Sequence, residues 1–144
     1  MKLPFLLSLA VALLLFSCSP VDKAWQEKVA APQLVHLCEN QLTKVVVYDV
    51  FSPPVAARVY VYPNLAAYEA LAAANTGITT LAGKLKGLKP LPPPDADKEY
   101  SFEIAATTAF IETAKAVIFS EDKMNAFKDS LYHFYKSALS LIHI

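Results

Sequence analysis

Four polar residues stand inside otherwise apolar sequence between positions 49 and 69: Asp49, Arg58, Asn64 and Glu69. Groups of this kind need partners if they are buried, because an unpaired polar or charged atom out of water is costly. Arg58 and Glu69 are eleven residues apart in one helical stretch, three turns and near the same face. The pattern predicts that Arg58 pairs with Glu69 or with Asp49, tying two helices across Ser52-Pro53-Pro54. The competing reading has the same set lining a pocket. The other residues able to do chemistry are scattered. His36, His133 and His143 make no pair at metal-ligand spacing, and each reads as a surface or satisfied core histidine. Cys38 lies among Leu34, Leu37 and Leu42, the setting of a buried, unreactive thiol. A glycine-rich phosphate loop, a CxxC pair, an HExxH and a GxSxG elbow are all missing from the sequence.

A different kind of chemistry is expected at Cys18. Lys2 precedes an apolar run from Leu3 to Phe16 broken only by Pro4 and Ser8, which is the layout of a secretory signal peptide. Leu15-Phe16-Ser17-Cys18 resembles the bacterial lipobox, in which the cysteine thiol receives diacylglycerol before cleavage. The expectation is a signal peptide over residues 1–17, lipidation of Cys18 and a tether over 18–31. The chain would then be held in the cell envelope by its lipid, a stable anchor once two or more acyl chains are buried. Ser19 after Cys18 resembles outer-membrane sorting in enterobacteria. With Cys18 lipidated, Cys38 has no disulfide partner. Loss of residues 1–17 removes one lysine and no acid, so the remainder is close to neutral. With Arg58 its only arginine, it is a poor nucleic-acid binder.

The elements that would position these residues are helical. From Pro32 a 3.6-residue period puts Leu34, Leu37, Cys38, Leu42 and Val45 on one face and carries through the strand-like Val45-Val46-Val47-Tyr48. Ser52 reads as an N-cap with Pro53 at the first helical position. The next helix spans about 55–74, with a kink or break predicted near Val59 to Tyr62 because of Pro63. Residues 77–97 hold all three glycines and a proline cluster over 90–94, a long connection of the sort that covers something. Helix is predicted again from Asp97 to about Phe119, with Phe102, Ala105, Ala106, Ala109, Phe110, Thr113, Ala116 and Val117 inward. Ser120 should cap a last helix whose stripe is Met124, Phe127, Leu131, Phe134 and Ala138. The fold class is therefore all-α, a bundle of about four long helices. The still-helical, uncapped ending at Leu141-Ile142-His143-Ile144 predicts that 32–144 is the N-terminal part of a larger bundled-helix fold. No apolar run after Cys18 is long enough for a membrane span.

Two strings, YDVFSPPVAARVYVYPNLAAYEAL over 48–71 and SFEIAATTAFIETAKAVIFSEDKM over 101–124, resemble the N-terminal half of bacterial vanadium-dependent haloperoxidase-like proteins. Those belong to the type 2 phosphatidic acid phosphatase superfamily, and the resemblance spans roughly residues 25–140. It implies bundled helices around a site for phosphate or vanadate. That site is built from a lysine ahead of Arg-Pro, a Pro-Ser-Gly-His, and a Ser-Arg followed by histidine and aspartate. None of those strings occurs here, and Arg58 is followed by Val59. No catalytic residue carries over, so the chain alone is expected to be inactive, with any vanadate held by a missing C-terminal portion. The alternative is a self-contained helical lipoprotein acting as a binding or assembly module.

Overall fold

The computed structural model describes residues 33–74, 77–98 and 100–139. Four helices account for most of them: α1 (Gln33–Tyr48), α2 (Pro53–Ala72), α3 (Phe102–Lys115) and α4 (Glu121–Leu139). The described residues contain no strand, only an isolated bridge between Ala82 and Leu85. The fold is all-α, as the periodicity predicts. The signal peptide, Cys18, the tether and His143 lie outside the described residues.

The core is organised around α1. Leu34, Cys38, Leu42 and Val45 recur at helical spacing and are buried, so α1 drives one apolar stripe between its neighbours. Against it pack Val59 of α2, Phe110, Ile111 and Ala114 of α3, and Met124, Leu131 and Tyr135 of α4. The most extensive helix contact is α2 with α3. Both are rich in alanine, which lets helix backbones approach closely.

Helix ends explain most departures from the predicted boundaries. α1 closes on Val50, whose φ of +54° is left-handed. The Val50 N–H reaches the Val47 carbonyl and the Phe51 N–H reaches that of Val46, both at 3.3 Å. This is a Schellman ending with a β-branched residue where glycine is preferred. Ser52 occupies the cap position of α2, but its side chain makes no capping bond. Two prolines follow it and bring no N–H to cap, so the Ser52 carbonyl receives Val55 and Ala56 instead. α2 then continues through Pro63 without breaking, because Val59 and Pro63 are both buried and held on each side of the missing bond.

α3 starts at Phe102 rather than Asp97. Asp95 receives the Asp97 N–H on its side chain and the Lys98 N–H on its carbonyl, making a turn. Ser101 then caps the helix by accepting the Ile104 N–H. The fully buried face of α3 is Ala106, Thr107, Phe110, Ile111 and Ala114, rotated from the predicted stripe because α1 and α4 cover one side while α2 covers the other. On α4 the same shift makes Tyr135 a core residue and leaves Phe134 42% exposed.

The Val50 side chain is 84% exposed, so no packing offsets its backbone strain. Val50→Gly is expected to raise unfolding stability by about 0.5–1 kcal/mol, the left-handed penalty less the chain entropy of glycine. Urea denaturation measures it, and an unchanged or lower midpoint would show that the turn is not strained.

Candidate functional site

The predicted polar set does not converge. Asp49 reaches across to the start of α4, where its Oδ2 accepts the N–H of Phe119 at 2.9 Å and of Ser120 at 3.1 Å, and its Oδ1 accepts the Ser120 hydroxyl. Ser120 was expected to cap α4 with that hydroxyl, and it donates it to Asp49 instead. These bonds also end α3 at Lys115, since a longer helix would send the same N–H groups to its own carbonyls. Asn64 donates to Glu39 of α1 and to the Tyr60 carbonyl. Nearby, Tyr60 donates to Thr43 at 3.1 Å, a second link between α1 and α2.

Glu69 is 5% exposed. Its Oε1 accepts the Leu81 N–H at 2.7 Å and its Oε2 accepts the Thr80 hydroxyl. The carboxylate thereby ties the 77–98 connection onto α2. Tyr68 adds a bond from its hydroxyl to the Thr79 carbonyl at 2.8 Å.

Arg58 takes no part in any of this. It is exposed, and the three ion pairs among the described residues are Lys98–Asp95, Lys115–Glu112 and Lys128–Glu112. The predicted pairing of Arg58 with Glu69 or Asp49 is therefore wrong. Glu69 lies on the side of α2 facing the long connection, and Asp49 is turned toward α4, so each acid is satisfied by backbone N–H and one hydroxyl, Thr80 and Ser120 respectively.

Besides a cleft of about 290 Å³ that Glu69 shares with Thr80 and Pro90, two more strongly apolar clefts flank α2. One of about 330 Å³ lies among α1, α2 and α3 and is lined by Val35, Cys38, Asn64, Tyr68, Thr107 and Phe110. The other, of about 410 Å³, lies between α2, α3 and the connection, with Glu69, Tyr62, Leu88 and Leu91 in its lining. Burial, aided by the charge of Glu39, pushes the Cys38 thiol up to about 12, so it is neither nucleophile nor ready ligand. Burial likewise holds the Tyr135 hydroxyl at about 12 despite its 2.6 Å bond with Thr107. That buried pair, which joins α3 to α4, was missed in the sequence because Tyr135 lies off the predicted stripe. His36 and His133 are exposed. No group of three or more histidine, cysteine or acidic residues gathers among the described residues.

These residues do not fit a phosphate or vanadate. Such an oxyanion needs converging cationic donors, whereas the single arginine points outward and the charge buried beside the larger cleft is a carboxylate. No step of phosphate or vanadate chemistry can be derived through them.

No protein-family model and no curated protein matches the chain. Among solved structures it is similar to a bacterial vanadium-dependent iodoperoxidase, with 41% sequence identity and a TM-score of 0.72 over 77% of this chain. The match spans 27% of the iodoperoxidase. At that identity the likeness supports a relationship to the vanadium haloperoxidase superfamily as well as a shared fold.

The two acids and the arginine should separate on stability. Burial would push the Asp49 carboxyl up, but the Ser120 and Phe119 bonds and the Lys123 charge outweigh it and hold it below the ordinary 3.8. A carboxyl lowered in this way stabilises the fold above its unfolded value and loses that contribution as pH falls through its folded one. Asp49→Ala is expected to cost roughly 1–2 kcal/mol at neutral pH. The difference from wild type should shrink below about pH 4, whereas Arg58→Met should stay within about 0.5 kcal/mol at every pH. Denaturant melts at pH 7 and pH 3 check both, and equal effects of the two substitutions would refute the assignment.

Proposed function

We propose that this chain is the N-terminal helical portion of a lipid-anchored protein of the vanadium haloperoxidase and type 2 phosphatidic acid phosphatase superfamily. Its part is to support and wall a phosphate or vanadate site supplied by sequence beyond residue 144. The observation that carries this reading is the 41% identity over 77% of the chain, set against coverage of 27% of the iodoperoxidase. The packing agrees with it. Val47, Val50 and Phe119 are 71%, 84% and 79% exposed at one end of the bundle, where further helices of a larger fold would cover them. The chemistry of the whole protein, phosphate-ester hydrolysis or halide oxidation, would then depend on arginines and histidines outside this chain.

Attachment to the membrane is proposed through Cys18. No helix among the described residues is long and apolar enough to cross a membrane. The leader and lipobox-like string supply the anchor in this reading, and the acyl chains its free energy.

Expression from the native locus with labelled fatty acid tests both parts at once. The expected product is labelled and much longer than 144 residues, oxidises iodide or hydrolyses a phosphomonoester, and loses its label in Cys18→Ala. An unlabelled product would remove the anchor. A product ending at residue 144 would remove the N-terminal-portion reading and leave a self-contained helical module.

A further inference from the structure

α1 and α4 run antiparallel, and α4 is the longer at one end. Asp49 just past α1 meets Ser120 just before α4, and Gln41 donates to the Lys123 carbonyl at 3.3 Å. At about 1.5 Å per residue from that bond, Gln33 falls level with about Leu131, so α4 overhangs the start of α1 by roughly 12 Å. A groove of about 250 Å³ opens at this step, lined by Leu34, Leu37, Phe127, Ser130, Leu131 and Phe134. Leu37 and Phe134 are exposed. The one polar side chain in the lining is Ser130, whose hydroxyl donates to the Ala126 carbonyl at 3.1 Å and so keeps its lone pairs for another donor. The groove therefore suits a large apolar ring that carries a single N–H or O–H.

The chain enters α1 beside this groove, at Gln33. Trp25, which lies outside the described residues, stands eight positions earlier and is the only tryptophan in the sequence. It belongs to a segment with Val21, Trp25 and Val29 at four-residue spacing and Asp22, Lys23, Glu27 and Lys28 between them, which is an apolar edge on charged sequence. An indole has the apolar body that the groove accepts and one N–H that seeks an acceptor when buried. Eight positions of extended chain span at most about 29 Å. Only about 5 Å of α4 separates the level of Gln33 from Phe134, so Trp25 has ample length to return to the groove.

We propose that Trp25 fills this groove, its ring against Leu37 and Phe134 and its N–H on the Ser130 hydroxyl, so that the segment before α1 straps the two helices together. One consequence rests on the proposed lipid at Cys18. Seven positions then join the anchor to the docked ring, at most about 25 Å, and the end of the bundle where α4 overhangs α1 faces the membrane.

Fluorescence of the full chain, excited selectively at tryptophan, reads the groove through Trp25 alone. Emission is expected well to the blue of N-acetyltryptophanamide, with acrylamide quenching several-fold weaker, at every protein concentration. Phe134→Ser and, independently, Leu37→Ser should each move the emission to the red and restore quenching. Both residues are exposed, so helix content by circular dichroism should hold, and Val47→Ser at the opposite end of the bundle should leave the emission unchanged. Emission like that of the free indole in the wild-type chain would overturn the proposal. So would blue emission that neither groove variant shifts, or that appears only as concentration rises, because the ring would then lie elsewhere or in a second copy. Cys18→Ala is expected to keep the blue emission even if the lipid anchor fails; a red shift in that variant would assign the burial to lipid and overturn the docking.

Discussion

Asp49 lies 70 residues from the Phe119 N–H that it accepts and 71 from the N–H and hydroxyl of Ser120. Through those bonds the turn after α1 is joined to the turn before α4, and the two helical pairs acquire a common origin. Phe51 and Phe119 stack across the same joint with ring centroids 5.0 Å apart. Lys123, just inside α4, stands 3.9 Å over the ring of Tyr48. The left-handed turn at Val50 follows from this arrangement, since it completes the reversal that leaves Asp49 facing α4 and lays Phe51 against the core. With the joint fixed, the α1 stripe of Leu34, Cys38, Leu42 and Val45 meets Phe110, Ile111 and Met124 in register.

The polar groups of the described residues are spent on holding this frame. Among them no buried side-chain nitrogen or oxygen is left without a partner. Asp49 fixes one joint, Asn64 and Glu39 another, and Thr107 with Tyr135 a third. A site that stabilises a developing charge needs donors held in place but not already engaged, and among the described residues no buried side-chain donor is left unengaged. In the proposed function these helices therefore serve as a scaffold.

The helices themselves were legible in the sequence, because apolar spacing reports the buried face of a helix directly. The strand-like Val45-Val46-Val47-Tyr48 read correctly as helix since the 3.6 period ran through it. What could not be read was where each polar side chain ends. Asp49 and Glu69 both announce that they need a partner, but the partners are one distant hydroxyl each and backbone N–H groups, which every residue carries and no pattern marks. Arg58 drew attention because it was the complementary charge nearby, whereas local satisfaction by N–H groups at a helix start and a turn needs no cation. Boundary errors have a similar origin. Asp97 looked like a helix start until Asp95 took the local N–H groups into a turn, and Tyr135 replaced Phe134 in the core because only the fold shows which flank of α4 meets Thr107.

Under the proposed function these helices frame an oxyanion site and supply none of its anion-binding groups. Titrating the folded chain with orthovanadate, followed by vanadium NMR line width, tests this most directly. No saturable broadening is expected, and Arg58→Met should be indistinguishable from wild type. Saturable vanadate binding in the micromolar range that Arg58→Met abolishes would contradict it, because the exposed arginine would then belong to an anion site that the frame holds after all.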